Sequence, residues 1–188
     1  QSMPKGSMLA ISDAEEKVKP ILPEVLEISV YNSPEYVVVS GEDEAIENFK
    51  TFLLEHNISC SKLHTSHAFH SKLMEPAVQE FEQLIKTVNL NKPNKRFISN
   101  VTGDFITDEQ AISSKYWANH IREAVQFSQG VLRLNKSYPN AVCLEVGPGN
   151  SLSTFVSQHK KEEGLSSYTV NSLPTAKEFQ QNQADDGQ

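Results

Sequence analysis

The chain of 188 residues carries 38% hydrophobic and 22% charged residues, proportions typical of a soluble globular protein. Its formal net charge of -7 argues against a nucleic-acid binder, because phosphate recognition usually requires a basic surface. No uninterrupted apolar run approaches the length of a membrane span, and the two distant cysteines form no CxxC motif, which favours reduced thiols in a cytoplasmic protein.

The first third of the sequence alternates between strand-length apolar segments and helical patterns. Strands are predicted over residues 7–12, 26–31, 36–39 and 58–63. Asp13 can cap a helix that reaches about Leu22, and a second helix is predicted to begin at residues 41–43. The turn Asn32–Pro34 is so short that the strands on either side of it should pair antiparallel. The order β-α-β-β-α-β predicts a ferredoxin-like subdomain over residues 7–66.

The sequence after residue 66 indicates helices that alternate with buried strands. Further strands are predicted over residues 96–101, 141–146 and 168–170, and helices over residues 76–88 and 115–134 and after Gly149, where Asn150 or Ser151 would be the cap. The strand at 141–146 is almost entirely apolar, as expected of a parallel strand covered on both faces. This alternation predicts an α/β layer over residues 67–176, followed by a polar tail over 177–188.

The motif HTSHAFHSKLMEP, residues 64–76, holds three of the six histidines at a spacing of three. Three histidines can bind zinc if their rings converge, but Thr65, Ser66 and Ser71 disfavour the helix that would bring them together. No nearby Cys or HExxH completes a recognised site, so we expect no metal. A second possibility is a base for a serine nucleophile, with one ring nitrogen free and the other on an acceptor. A packing or surface role is the third.

Several motifs accompany the histidine motif in a fixed order. They are QSMPKGSMLA at 1–10, YNSP at 31–34, VVVSG at 37–41, ISNVTG at 98–103, YWANHIREAVQF at 116–127 and LEVGPG at 144–149. In this order they resemble the acyltransferase domains of modular polyketide synthases (malonyl-CoA:acyl carrier protein transacylase-like), over about residues 1–174. The resemblance implies an α/β-hydrolase-like large subdomain that carries a ferredoxin-like (α+β) small subdomain. The expected fold class is therefore α/β, with the C-terminal part of the large subdomain in residues 67–176.

The resemblance also implies a mechanism and the residues that perform it. In the family, a serine in a GHSxG elbow takes malonyl from malonyl-CoA and passes it to the phosphopantetheine thiol of an acyl carrier protein. His70 matches the family's catalytic base, and His120 matches the position whose backbone carbonyl orients that base. Asn32 matches an asparagine that faces the acyl pocket. His67 and Phe69 occupy the positions that correlate with a choice of malonyl over methylmalonyl, and bulky Phe69 would clash with an added methyl group.

One departure from the family pattern concerns the nucleophile. The chain contains no GxSxG, and its nearest lookalike, residues 147–151, has the wrong spacing. In the family, the serine elbow and the arginine that pairs with the malonyl carboxylate lie upstream of the small subdomain. We therefore expect a C-terminal fragment without activity of its own. The alternative is a non-catalytic binding or scaffold module that has kept the fold.

Partners follow from the same resemblance. We expect an acyl carrier protein that carries its own phosphopantetheine, malonyl-CoA as substrate, and a neighbouring ketosynthase domain of the same synthase. No cofactor of the chain itself is expected, nor any nucleic-acid or membrane partner. A half-sheet with an uncovered edge tends to self-associate, so a dimer is a further expectation.

Overall fold

A four-stranded antiparallel sheet occupies the N-terminal part of the chain in the computed structural model, which describes residues 3–163 and 168–175. Its strands are β1 (Ser7–Ile11), β2 (Glu27–Ser33), β3 (Tyr36–Gly41) and β4 (Cys60–Lys62). They lie side by side in the order β2-β3-β1-β4, and every neighbouring pair is antiparallel. This is the ferredoxin-like strand order, so the predicted fold of the small subdomain is confirmed.

Two helices pack on one face of this sheet. In α2 (Asp43–Glu55), the apolar residues Ile46, Phe49 and Leu53 recur at helical spacing, and all three are buried against alternate residues of β1 and β3. The first helix, α1 (Glu15–Val18), is shorter than predicted and continues only as a 3₁₀ turn, Lys19–Ile21. Pro20 explains the difference, because it has no N–H to donate to the carbonyl four residues earlier.

The chain divides into two compact units between Gly130 and Val131. The first unit also holds α3 (Glu75–Ile85), α4 (Asp108–Ala111) and α5 (Ser114–Asn119), while α6 (Phe127–Ser137) runs across the division. A 3₁₀ turn, Lys72–Met74, precedes α3, and α3 packs against α5. The predicted boundary between residues 66 and 67 would separate the small sheet subdomain from the large one. It does not coincide with the division at Gly130, and it stays a prediction.

The single helix predicted over residues 115–134 is wrong. α5 ends at Asn119 and α6 begins at Phe127, because the segment between them bonds to other parts of the chain. Val125 pairs with the edge of β2: its carbonyl accepts from the N–H of Tyr31 at 2.8 Å, and its N–H donates to the carbonyl of Ser29 at 2.9 Å. A strand-like bridge therefore replaces what would have been the middle of one helix.

The strand predicted over residues 96–101 is also wrong. Only one residue there, Ile98, forms a bridge, and its antiparallel partner is Phe105. The chain reverses between these two at Gly103, whose φ of +65° suits glycine, so the contact is a single bridge next to a turn.

The second unit contains a parallel strand pair, β5 (Val142–Glu145) with β6 (Tyr168–Asn171), and the helix α7 (Ser151–Glu163). The predicted parallel pairing is confirmed, but the predicted cover on both faces is not, because Val142 is 64% and Leu144 58% exposed. α7 begins at Ser151, so Asn150 stands at the predicted cap position, and the carboxylate of Glu145 accepts from the N–H groups of Leu152 and Ser153 in the first turn, at 3.2 and 2.8 Å. Within residues 3–163 and 168–175, no helix is long and apolar enough to cross a membrane.

Truncation of Leu9 to alanine should destabilise the protein strongly. Leu9 is fully buried in β1 at the centre of the main core, and removal of a buried leucine side chain costs about 2–5 kcal/mol. Leu54→Ala is the matched control, because Leu54 lies on α2 with 54% of its surface exposed. Urea unfolding measures both free energies, and equal losses would contradict this placement of the core.

Candidate active site

His70 holds a backbone conformation that few side chains adopt. Its φ is +58°, and such a left-handed conformation costs a non-glycine residue roughly 1–3 kcal/mol, so it persists only where the surroundings enforce it. The enforcing contact is a hydrogen bond from the N–H of His70 to the carbonyl of Ile121, at 3.0 Å. This strain marks a position where the fold fixes the direction of one side chain.

The residues on either side of His70 are anchored in the first unit. Ala68 is fully buried, and a Cβ on Gly6 would lie only 2.8 Å from its methyl group, so a glycine at position 6 permits this close approach. On the other side, the Ser71 hydroxyl donates to the carbonyl of Ala68 at 2.6 Å and accepts from the N–H of Leu73 at 3.3 Å. The histidine is thus held between a buried alanine and a capped 3₁₀ turn.

The imidazole ring of His70 has one nitrogen occupied. Its Nδ1 lies 2.9 Å from the backbone carbonyl oxygen of Glu123. A carbonyl can only accept, so Nδ1 carries the proton in the neutral ring and Nε2 keeps its lone pair. This is the tautomer that a general base requires.

Burial in a mostly apolar environment lowers the pKa of His70, because desolvation disfavours the charged ring. The carbonyl of Glu123 opposes this by stabilising the protonated form, and a positive charge on His120 would lower the pKa further. Since burial is the largest of these effects, the ring is neutral and able to accept a proton at a lower pH than an ordinary histidine.

The carbonyl 2.9 Å from Nδ1 belongs to Glu123, and the carbonyl of His120, which the sequence indicated, is a second and weaker hydrogen-bond partner of the His70 ring. After α5 the chain turns back, with the N–H groups of Arg122 and Glu123 donating to the carbonyl of Asn119 at 2.9 and 2.8 Å. This turn directs the carbonyls of Ile121 and Glu123 toward His70. His120 stays close, with its ring 6.5 Å from that of His70, and its own carbonyl is the smallest of the influences on the pKa of His70.

An apolar cavity of about 600 Å³ adjoins the ring of His70. Apart from His70 and His120, its lining is aliphatic or aromatic and includes Phe69, Met74, Phe81, Ile85, Trp117 and Ile121. Phe69 faces this space with 39% of its surface exposed. Such a lining disfavours polar molecules in the cavity, and it explains why the ring of His70 is poorly solvated.

Two predicted site residues do not line this cavity. Asn32 lies in β2, half-buried, next to the tyrosine whose N–H bonds to Val125. His67 is half-buried, its Nδ1 lies 2.8 Å from the hydroxyl of Ser66, and its ring centre is 5.9 Å from that of Phe69. The structure therefore brings together His70, His120 and Phe69 around one space.

In the described ranges, no group of three His, Cys, Asp or Glu side chains could hold a metal ion.

Glu123 is the site residue that sequence reasoning missed. It acts through its backbone carbonyl, which every residue has, so its side chain carries no signal of this role. A helix break after Asn119 would have been the useful signal, because a turn frees carbonyls that a continuous helix would use internally.

Comparison with known proteins finds a family whose model matches almost the whole chain. A family model described as acyl transferase domain matches residues 1–185. A phenolphthiocerol synthesis polyketide synthase type I of Mycobacterium marinum is 34% identical over 160 residues, which is 84% of this chain and 8% of that protein. The chain thus spans a small part of the synthase that it matches.

Solved structures agree with this fold. The acyl transferase domain of SpnD, in complex with 2-(pent-4-yn-1-yl)malonyl, matches with a TM-score of 0.86 and 29% identity, over 92% of this chain and 42% of that one. Malonyl CoA-acyl carrier protein transacylase from Clostridium perfringens matches with a TM-score of 0.79 and 26% identity, over 98% of this chain and 58% of that one. These likenesses confirm the α/β fold with a small sheet subdomain.

Titration of the His70 ring should show a pKa below that of the same residue in the urea-unfolded chain, because burial disfavours the charged form. The native state then binds fewer protons than the unfolded state. The contribution of this residue to stability is present above the unfolded pKa and is lost as the pH falls through the folded pKa. Nuclear magnetic resonance of labelled histidine measures both values, and a folded pKa equal to or above the unfolded one would contradict the burial argument.

Proposed function

Because the chain belongs to the acyl transferase domain family, we propose that it supplies the base and part of the pocket wall of an enzyme that moves malonyl from malonyl-CoA to an acyl carrier protein. The acceptor is the phosphopantetheine thiol of that carrier. The observation that carries the proposal is the ring of His70, whose Nδ1 lies 2.9 Å from the carbonyl of Glu123 beside an apolar cavity. The family assignment makes this chain part of a transferase, and the choice of substrate is our inference.

In this proposal, His70 moves one proton in each half of a ping-pong reaction. A serine hydroxyl, which we place outside these 188 residues, gives its proton to Nε2 and attacks the thioester carbonyl of malonyl-CoA. The carbon–sulfur bond breaks, and the coenzyme A sulfur takes the proton from His70. The carrier thiol then gives its proton to Nε2 and attacks the serine ester, and the serine oxygen leaves with that proton.

The low pKa of His70 suits both halves of this cycle. A base that is neutral at cytoplasmic pH can accept a proton from either the hydroxyl or the thiol, and its conjugate acid is strong enough to return that proton. The carbonyl of Glu123 stabilises the charged ring without competing for the proton, because it can only accept a hydrogen bond. The backbone carbonyl thus takes the place that a carboxylate occupies in other serine–histidine sites.

Phe69 is proposed to favour malonyl over methylmalonyl. It lines the cavity next to His70, and its bulk would crowd a methyl group on C2 of the substrate. One methyl group changes binding in a pocket by about 1–3 kcal/mol, so the effect is a preference and not an absolute selection. His67, with its ring centre 5.9 Å from that of Phe69, would act by fixing the position of Phe69, and Asn32 is proposed to approach the acyl group from β2.

The proposed setting is a polyketide synthase in the cytoplasm. The matched relative from Mycobacterium marinum is a polyketide synthase, which supports an acyl carrier protein and a neighbouring ketosynthase domain as partners. No cofactor of this chain takes part in the proposed reaction, and a dimer is also part of the proposal. A scaffold module without catalysis is the second candidate, favoured by the absence of a GxSxG motif from the chain.

Replacement of His70 by asparagine should lower malonyl transfer by about 10²–10⁴-fold, the usual contribution of a general base. Asparagine tolerates the left-handed backbone of this position, so the variant tests the ring and not the fold. The assay follows labelled malonyl from coenzyme A to a carrier protein, using the full polypeptide that in this proposal also carries the serine. His64→Asn is the control, because His64 is exposed and lies in the same motif.

A His70→Asn variant with unchanged transfer would overturn the assignment of the base. In a parallel experiment, the 188-residue chain alone should acquire no malonyl adduct detectable by mass spectrometry. A stable adduct would mean that the nucleophile lies within this chain. No transfer by the full wild-type polypeptide would favour the scaffold module.

Replacement of Phe69 by serine should shift the preference toward methylmalonyl-CoA by about 10–200-fold in kcat/KM, because the smaller side chain makes room for a methyl group. A competition between the two coenzyme A esters measures the ratio directly. Phe97→Ser is a matched control, since Phe97 is similarly exposed, at 41%, and does not line this cavity. An unchanged ratio would exclude Phe69 as the discriminating residue.

A further inference from the structure

One carboxylate joins the segments on both sides of the His70 ring. Glu27, the first residue of β2, accepts from the backbone N–H of Lys72 at 2.8 Å and lies 3.3 Å from its ammonium group. The same carboxylate lies 3.4 Å from a terminal nitrogen of Arg122, whose Nε is 3.1 Å from Glu75. The side chains of Glu27 and Arg122 are only 25% and 22% exposed.

The two partners of Glu27 are placed where they affect His70 directly. Lys72 follows His70 by two residues and begins the 3₁₀ turn that is capped by Ser71. Arg122 lies between Ile121 and Glu123, and these two residues supply the carbonyls for the backbone N–H and Nδ1 of His70. A single residue of β2 therefore holds both the segment that carries the ring and the segment that receives its hydrogen bond.

Stability alone gives a weak reason for the two outer ion pairs of this arrangement. Solvent-accessible ion pairs contribute little to the free energy of unfolding, and the ammonium group of Lys72 and the carboxylate of Glu75 are mostly exposed. Geometry at a reacting group matters far more, because a displacement of about 1 Å can change a rate by about a hundredfold. A planar guanidinium suits this task, since it can bond to two carboxylates in fixed directions while an ammonium cannot.

We propose that Glu27 is a positioning residue that, through Arg122 and Lys72, fixes the ring of His70 against the carbonyl of Glu123. The carboxylate touches neither the ring nor the cavity, so its effect reaches the site only through these two neighbours. The catalytic consequence rests on the proposed function, whereas the effect on the ring does not.

The direct test compares the His70 ring in variants of the 188-residue chain. Glu27→Gln keeps the shape of the side chain and removes its charge, and Arg122→Lys keeps the charge and removes the planar fork. Nuclear magnetic resonance of labelled histidine should show a single Nδ1–H tautomer for His70 in the wild type and a mixture in both variants. Asp13→Asn is the control, because it breaks the exposed Asp13–Lys17 ion pair of 2.8 Å elsewhere in the same unit.

An unchanged His70 signal in Glu27→Gln and in Arg122→Lys would overturn the proposal. Two variants are needed because one of them can fail to fold, and a folded variant is recognised by an unchanged spectrum for the core residues around Leu9. A merely structural role would lower the unfolding temperature without a change in the tautomer of His70.

A second readout uses malonyl transfer by the full polypeptide. Each variant should lower kcat by about tenfold to a hundredfold with little change in KM, because Glu27 does not line the cavity beside His70. The double variant should lose no more than the worse single variant, since the two residues act as one unit. Unchanged kcat in both single variants would overturn the catalytic part. An inactive wild type would instead overturn the proposed function, and the tautomer comparison would then decide the positioning role alone.

Discussion

The hydrogen bond between Nδ1 of His70 and the carbonyl of Glu123 joins segments 53 residues apart, and the local arrangement of the site depends on it. To supply this carbonyl, the chain must leave the helical path after Asn119, where a continuous helix would have used the group internally. The groups released by the break find partners in His70 and in the edge of β2. The small sheet is therefore part of the site, because its edge holds the segment that orients the ring.

The sequence predicted well those parts of the fold in which local pattern and tertiary packing agree. The alternation in β2 and β3, the short turn between them and the apolar stripe of α2 all lead to one arrangement, and the structure has it. The break between α5 and α6 was missed for a physical reason. Val125 fits an apolar helical stripe as well as a strand bridge, and only its pairing with β2 decides between them.

The candidate site shows a different limit of sequence reasoning. His70 and Phe69 were found because they lie in a recognisable string, and the structure places both at one cavity. Glu123 and Glu145 were missed because one acts through a backbone carbonyl and the other caps a helix that begins six residues later. Neither role is a property of residue type alone, since each depends on where the chain turns. The proposed roles of Asn32 and His67 rest on family resemblance, since neither residue lines the cavity.

The positive φ of His70 has a consequence for any comparison of amino acids at this position. If each of the twenty amino acids were placed at position 70, the activity of the variants would depend on two separate properties. These are the tolerance of the residue for the left-handed backbone and the proton affinity of its side chain. Valine, isoleucine and threonine would fail on the first of these properties before the second was ever examined, because branching at Cβ is poorly accommodated in that region. A loss of activity in these variants would therefore overstate how narrowly the chemistry selects its residue. Glycine, asparagine and aspartate tolerate this backbone, so they would report on the chemistry separately.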